Sequence, residues 1–229
     1  MTEGKLRAEV IATALKMNEL GINQGTSGNV SARTHNRMLI TPTSVVYGEL
    51  RPDDLPRLEF PTPDFPGGVI AGEPDWHGPL APSSEWRLHQ AIYQAFPRAQ
   101  AVIHTHATFS TVLAIARREI PACHYMLGIF GGAPIRCAAY ATFGTQEFAD
   151  RAVEAMTGRS ACLLANHGMV VWGESLKHAL WRAVELETVA NQYYHSLLIG
   201  GPVLLSDDEM ADTAAKLDGY GHRPGMADE

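Results

Sequence analysis

The spacing of apolar residues predicts six helices. In the first of them, the apolar side chains from Leu6 to Met17 recur on one face, and Gly21 follows as a left-handed stop. Ser206 and Glu209 form a capping box that opens the last helix. The predicted helices cover about residues 6–20, 86–96, 108–117, 146–156, 175–199 and 206–217.

Short β-prone runs lie between these helices. Residues 30–33 and 38–41 are separated by a turn and predict a hairpin, and residues 162–165 and 169–172 predict a second one. The apolar run that begins at Ala101 predicts a buried strand, and residues 138–143 are expected to be extended. Strands alternating with helices, some joined as hairpins, predict an α/β fold: a single three-layer α/β/α domain around a mixed, largely antiparallel sheet.

Residues 52–82 hold eight of the fourteen prolines. Because proline lacks an N–H donor and fixes φ, this stretch is expected to contribute at most edge strands. Only about fifty residues precede it, too few for a typical separate domain. We therefore interpret it as an insertion within one domain that spans residues 1–229.

Composition and charge exclude several classes of protein. The formal net charge is −7, from 18 basic and 25 acidic residues, which argues against a nucleic-acid partner. The three cysteines, an odd number without a C-x-x-C spacing, argue against a disulfide framework. A signal peptide and a membrane-spanning segment are both missing from the pattern. A soluble, cytoplasmic protein is the expectation.

His104 and His106 lie two positions apart on the predicted strand that begins at Ala101, so their side chains project from the same face of the sheet. A third imidazole is available from His167, in the tight turn of the second hairpin. Three neutral imidazoles with an open position are typical of a catalytic zinc site. The alternative is that each ring hydrogen bonds to backbone or water, which is also our interpretation of helical histidines such as His89.

Three turns rich in glycine and hydroxyl groups are candidate anion sites. They are residues 25–29, 41–44 and 82–86. Closely spaced glycines let backbone N–H groups converge on an anion, and a helix start favours negative charge. Each turn can equally be an ordinary turn or helix cap. Together they favour a small phosphate.

Glu85 lies at the predicted start of the second helix, where a carboxylate is stabilised by the helix dipole. It is a candidate metal ligand or general base. A surface glutamate that only stabilises the helix is the alternative.

The lysines argue against Schiff-base chemistry. Lys5, Lys16, Lys177 and Lys216 are the only four, and all lie on amphipathic helices or at their ends. A Schiff-base lysine must be partly desolvated to act as a nucleophile at neutral pH. If the protein forms a carbanion beside a carbonyl, a metal Lewis acid is the better candidate.

Eight blocks in the same order give the chain a resemblance to the class II aldolase/adducin family. They lie between the first predicted helix and about Met210. The blocks are residues 23–31, 38–43, 82–87, 101–107, 120–126, 140–145, 166–168 and 177–194.

The resemblance implies roles for residues. Zn²⁺, or another divalent metal, would be bound by His104, His106 and His167, and Glu85 would be the acid/base that also contacts the metal when substrate is absent. Family members are homotetramers with sites between subunits, so Tyr125, Phe143 and Tyr220 are candidates to reach a neighbour's site, with Tyr125 as proton donor toward the aldehyde. The implied phosphate-binding residues are Gly28, Asn29, Thr43, Ser44, Ser83 and Ser84. Ser44 stands where the family's aldolases usually have glycine.

The implied reaction is that of a zinc-dependent aldehyde-lyase, which cleaves a ketose 1-phosphate to dihydroxyacetone phosphate and an aldehyde through a metal-stabilised enediolate. The substrate would be fuculose 1-phosphate or a 5-deoxy- or 5-alkylthio-pentulose 1-phosphate. Two other enzymes are possible from the same family: a pentulose-phosphate 4-epimerase and a methylthio-pentulose 1-phosphate dehydratase. The non-catalytic alternative is an adducin-like interaction module.

Overall fold

The computed structural model describes residues 2–60 and 75–217, which form six α-helices and one eight-stranded sheet. The helices are α1 (Glu3–Glu19), α2 (Trp86–Ala95), α3 (Thr108–Ile115), α4 (Gln146–Ala155), α5 (Leu176–Leu198) and α6 (Asp207–Leu217). The strands are β1 (Asn29–Thr34), β2 (Arg37–Ile40), β3 (Arg57–Glu59), β4 (Trp76–His77), β5 (Ala101–Thr105), β6 (Cys137–Ala138), β7 (Ala161–Leu164) and β8 (Gly168–Gly173).

The sheet has the order β4-β3-β2-β1-β5-β8-β7-β6. Every neighbouring pair is antiparallel except β6 and β7, which are parallel. Both predicted hairpins, β1–β2 and β7–β8, are therefore confirmed, as is the mixed, largely antiparallel sheet. Strand β5 lies between β1 and β8, and all five of its residues are buried, which explains its continuous apolar run.

Helices cover both faces of this sheet. Alternate residues of β5 point to opposite faces, so Ile103 packs with α1, α3 and α5, whereas Val102 packs with α2 and α4. His104, two residues after Val102, lies on the same face as α2 and α4. The three-layer α/β/α prediction is confirmed.

The ends of the helices follow the predicted signals. Gly21 has a φ of 71° just after α1, in the left-handed region that glycine tolerates. At the start of α6, Ser206 Oγ accepts a hydrogen bond from Glu209 N, while the Glu209 carboxylate accepts one from Ser206 N. The capping box is therefore present.

Two local features differ from the sequence prediction. Residues 138–143 are not one extended strand, because β6 pairs only with β7 and that partner ends at Leu164. A 3-10 helix over Tyr125–Phe130 was not predicted. In the proline-rich stretch, β3 and β4 form one edge of the sheet, as expected, and residues 61–74 lie outside the described residues.

Among the described residues, no helix is long and apolar enough to cross a bilayer.

Candidate active site

Three histidines from two elements meet at one point. His104 is the fourth of the five residues of β5, His106 follows the strand, and His167 lies in the turn between β7 and β8. One ring nitrogen from each lies within 4.8 Å of the other two. The ring centroids are 4.8 to 5.0 Å apart, with the rings nearly perpendicular. We call these three residues the histidine cluster.

The turn that carries His167 is fixed on both sides. Asn166 adopts a left-handed φ of 56°, and its backbone N donates to Ala114 O at 2.9 Å. Arg117 Nε donates to the Asn166 side chain at 2.9 Å. The His167 ring itself stacks on Phe148 of α4 at 5.2 Å. Its orientation is therefore set before any ligand binds.

The histidines are in the protonation state that a metal requires. His104 Nδ1 lies 2.8 Å from Met169 O, so it carries the hydrogen, and the lone pair of Nε2 faces the cluster. Burial lowers the pKa of His104 to about 3 and that of His167 to about 4, and burial also lowers the pKa of His106. All three rings are neutral at neutral pH, as metal ligation demands.

Glu85 directly precedes α2 and brings a carboxylate to the cluster. Its Oε2 lies 3.2 Å from His104 Nε2 and its Oε1 lies 3.3 Å from His167 Nε2. The residue is only 4% exposed, and Oε1 is buried without a hydrogen-bond donor. Burial raises the pKa of Glu85, although the nearby His167 opposes that shift.

This donor set fits a divalent transition metal. An unsatisfied buried carboxylate oxygen beside three neutral imidazoles is costly without a cation. Imidazole nitrogens with one carboxylate oxygen are ligands that Zn²⁺ accepts in a four-coordinate site. The structure thus brings the four predicted metal ligands, His104, His106, His167 and Glu85, together, and their donor atoms suit several divalent transition metals.

The residues around Glu85 include two whose part in the site was missed. Asn29, predicted only as a phosphate ligand, donates from Nδ2 to Glu85 Oε2 at 2.8 Å. His89, interpreted as an ordinary helical histidine, lies 2.5 Å from Asn29 Oδ1 through Nε2 and is fully buried. The signal was in the sequence, because positions 85 and 89 are one helical turn apart and share a face.

The first of the three turns, residues 25–29, lies close against β5, the strand that carries His104. Tyr47 donates its hydroxyl to Gly28 O at 2.5 Å. A Cβ at Gly28 would lie 2.6 Å from His104 O and 2.5 Å from the Asn23 side chain. Only glycine therefore allows this turn to approach β5 so closely.

The other two turns run side by side. Thr43 N donates to Ala81 O and Ser83 N donates to Thr41 O, each at 3.1 Å. Ser83 is buried and its Oγ accepts from Glu85 N at 3.3 Å, so this turn leads directly into the acid/base candidate. The hydroxyl-bearing residues Thr43, Ser44 and Ser84 are exposed. We call residues 25–29, 41–44 and 82–84 the phosphate turns.

Ser44 has a φ of 58°, in the left-handed region that favours glycine. A glycine, which the family resemblance implies at this position, would adopt this conformation without strain.

The aromatic candidates make fewer contacts with the histidine cluster than Glu85 does. Tyr125 is half-exposed, and its ring stacks on His124 at 4.8 Å. Within the described residues, no hydrogen bond or ring contact joins Tyr125 to Glu85 or to the histidine cluster. Phe143, a candidate to reach a neighbour's site, lies 6.5 Å from the His167 ring of its own chain and is 59% exposed. Tyr220 lies outside the described residues.

Comparisons with known proteins point in one direction. Residues 8–194 match the family model described as class II aldolase and adducin N-terminal domain. The chain is 46% identical over 216 residues to a 5-methylthioribulose-1-phosphate/5-deoxyribulose-1-phosphate aldolase of Rhodospirillum rubrum, covering 94% of this chain and 92% of that protein. It is 42% identical over 224 residues to an L-fuculose phosphate aldolase of Escherichia coli K12, covering 97% and 99%. A solved structure of an L-fuculose 1-phosphate aldolase superposes with a TM-score of 0.85 at 36% identity, covering 93% of this chain and 96% of that one.

Proposed function

Since the chain belongs to the class II aldolase and adducin family, we propose that it cleaves a ketose 1-phosphate at the histidine cluster to dihydroxyacetone phosphate and an aldehyde. The protein is an enzyme, a class II aldolase. The observation that carries the proposal is the buried Glu85 carboxylate, which lies within 3.3 Å of two of the three converging histidines.

In the proposal, His104, His106 and His167 hold Zn²⁺, and Glu85 contacts the metal while substrate is absent. A bound divalent cation supplies positive charge beside the substrate's carbonyl and hydroxyl oxygens, which stabilises negative charge developing there. The neutral imidazoles support this assignment, because one ring nitrogen of each lies within 4.8 Å of the other two. Another divalent transition metal fits the same donor set.

Glu85 is proposed to transfer the proton at C3, the carbon whose bond to C4 breaks. When the bond between C3 and C4 breaks, the C4 hydroxyl loses its proton, to Tyr125 in the proposal, and becomes the aldehyde carbonyl. The electron pair stays on C3, and the Glu85 carboxyl delivers a proton there. In the synthetic direction the Glu85 carboxylate removes that proton. A carboxyl with a raised pKa suits both directions, because it accepts and releases a proton closer to neutral pH.

The phosphate turns are proposed to bind the substrate's 1-phosphate through backbone N–H groups and hydroxyls. The proposed ligands are Gly28, Asn29, Thr43, Ser44, Ser83 and Ser84. Support comes from the adjacency of these turns to Glu85, and from the exposure of three of the hydroxyl groups. Fuculose 1-phosphate and the 5-deoxy- and 5-alkylthio-pentulose 1-phosphates share this phosphate and differ at the other end.

The active protein is proposed to be a cytoplasmic homotetramer with sites between subunits. Tyr125 would then approach a neighbour's site as proton donor toward the aldehyde, as would Tyr220. Half-exposed Tyr125 and the exposed apolar side chains of Leu198, Ile199 and Val203 support such contacts. The three cysteines are free thiols, which suits a reducing compartment.

A coupled assay for dihydroxyacetone phosphate tests the reaction. Purified metal-loaded enzyme is offered L-fuculose 1-phosphate, a 5-deoxy-pentulose 1-phosphate and a 5-methylthio-pentulose 1-phosphate, and kcat/KM is compared. An epimerase would return an isomer and a dehydratase would release water, and neither would yield dihydroxyacetone phosphate. Conversion of these substrates without that product would overturn the proposal.

The role of Glu85 is tested by Glu85→Gln. This variant should exchange the C3 proton of dihydroxyacetone phosphate with D₂O about 10²- to 10⁴-fold more slowly, the usual contribution of a general acid–base, while still binding zinc. Glu154→Gln, at an exposed position on α4, is the matched control and should exchange normally. Unchanged exchange in Glu85→Gln would remove Glu85 from this role.

A further inference from the structure

A line of buried hydrogen bonds leads from Glu85 into the protein core. Glu85 accepts from Asn29, Asn29 Oδ1 lies 2.5 Å from His89 Nε2, His89 Nδ1 lies 2.6 Å from Ser31 Oγ, and Ser31 Oγ lies 2.8 Å from Tyr93 OH. Asn29 is 4% exposed, and the three residues beyond it are at most 1% exposed. With no solvent to replace a lost partner, the loss of any of these hydrogen bonds lowers the stability of the protein.

The Glu85 carboxylate determines which atom donates and which accepts in each hydrogen bond of this line. An ionised carboxylate only accepts hydrogen bonds, so the atom of Asn29 that faces it must be the Nδ2 donor. The Asn29 atom that faces His89 is then the Oδ1 acceptor. His89 must therefore carry its hydrogen on Nε2.

The rest of the line follows from the neutrality of His89. Burial lowers its pKa to about 3, so the ring has a single N–H at neutral pH. With the hydrogen on Nε2, Nδ1 is an acceptor, and Ser31 must donate its hydroxyl to it. Tyr93 in turn donates to Ser31 Oγ, so every donor in the line points toward Glu85.

The opposite arrangement is unfavourable at one contact. If Asn29 were rotated by half a turn, Oδ1 would face Glu85 Oε2 at about the same separation. Two acceptors would then meet in a buried place with no proton between them. A ring with its hydrogen on Nε2 prevents this rotation, since the rotated amide would present an N–H to it.

We propose that His89 is a positioning residue for the reaction proposed above. Its Nε2–H holds the Asn29 amide so that Nδ2 donates to Glu85 Oε2. That bond keeps the carboxylate beside His104 and His167, the position from which it acts in the proposed reaction. His89 touches neither substrate nor metal in this role and acts only through Asn29.

Three variants separate positioning from simple structural support. His89→Leu removes the donor, His89→Gln retains an amide N–H donor in a chain of similar reach, and Tyr93→Phe removes a buried hydroxyl while leaving Ser31 able to donate to His89. The readout is exchange of the C3 proton of dihydroxyacetone phosphate with D₂O, measured as kcat and KM. Metal content and thermal unfolding are measured in parallel.

His89→Leu should lower kcat about ten- to a hundredfold, the loss expected for one hydrogen bond to a charged group, and should change KM little. His89→Gln should recover most of that loss, and Tyr93→Phe should exchange about as fast as wild type even though it loses stability. A normal kcat in His89→Leu would overturn the proposal. So would an equal loss of kcat in all three variants that follows their loss of stability, since that is a structural role.

A second measurement uses the unaltered protein. In ¹⁵N-labelled wild type, with the His89 resonances assigned by comparison with His89→Gln, the ring should show its hydrogen on Nε2 and a bare Nδ1. A hydrogen on Nδ1 would overturn the positioning role even if His89→Leu fails to fold. If wild type exchanges no proton but shows the Nε2–H ring, the proposed reaction fails while the hydrogen-bond line stands.

Discussion

The histidine cluster and the phosphate turns are held in place by different means. In the cluster, the side chains themselves are fixed: His104 by a backbone carbonyl, His167 by stacking on Phe148, and Glu85 by Asn29. In the phosphate turns, the backbone is fixed by main-chain bonds and close approach, whereas hydroxyls such as that of Ser44 remain exposed. The side chains at the histidine cluster are thus preorganised, whereas the exposed hydroxyl side chains of the phosphate turns can be replaced without removing the main-chain bonds that hold those turns.

This difference separates the expected effects of mutation. Changes in the histidine cluster remove one of three converging imidazoles and should act on metal binding and kcat. Changes in the phosphate turns should act on KM and on stability, because the backbone supplies most of the structure there. The three predictions below test that separation, beginning with the largest effect.

His167→Ala should abolish stable metal binding. It removes one of three converging imidazoles and leaves a buried Glu85 oxygen without a nearby ring. We expect metal content well below one ion per chain after dialysis. Cleavage should fall by about a hundredfold or more, because a bound metal supplies several kcal/mol of charge stabilisation. Metal analysis of the dialysed protein and the coupled assay measure the two effects.

The control for this change is His35→Asn. His35 lies in an exposed turn with a φ of 32°, a conformation that asparagine also tolerates. It should bind metal and cleave substrate as wild type does. Full metal content in His167→Ala would show that the histidine cluster is not the metal site.

Gly28→Ala should damage the turn without removing the metal. The new Cβ would lie 2.6 Å from His104 O, so the turn must move away from β5. Overpacking of this kind costs about 1–3 kcal/mol. We expect a lower midpoint in urea unfolding, a higher KM for the ketose 1-phosphate and normal metal content.

Gly48→Ala is the matched control, since a Cβ there meets nothing within 4 Å. Its stability should change by no more than about 0.5 kcal/mol. Equal unfolding midpoints for the two alanine variants would contradict the close approach of Gly28 to β5.

Local patterns in the sequence predicted most of the fold. The helical period and the capping box at Ser206 depend on neighbours within a few residues, and both agree with the structure. Of the H-x-H pair predicted on a buried strand, His104 lies on β5 and His106 directly follows it, and both belong to the histidine cluster. Joining His167 to His104 and His106 needed more than spacing. The family resemblance supplied that link, and the geometry agrees with it.

Long-range packing explains what the sequence did not show. The contact between Asn29 and His89 joins positions sixty residues apart through the face of α2 that packs on β1 and β5. The short β6 results from the end of its partner strand, which its own residues 138–143 do not reveal.

Ser44→Gly should have the smallest effect and one of opposite sign on stability. A non-glycine residue at a φ of 58° is strained by about 1–2 kcal/mol, and glycine relieves that strain. The greater freedom of glycine in the unfolded chain lowers the stability by about 0.4–1 kcal/mol, which offsets part of the gain. The net gain should raise Tm by about 1–4 °C in differential scanning calorimetry. Ser44→Ala keeps the Cβ and the strain, so it should show no such gain.

Both variants lose the hydroxyl, and if Ser44 binds the phosphate, both should raise KM about two- to tenfold, the worth of one hydrogen bond. A rise in KM in only one of them would assign the effect to the backbone of this turn, and a lower Tm in Ser44→Gly than in Ser44→Ala would contradict the strain argument.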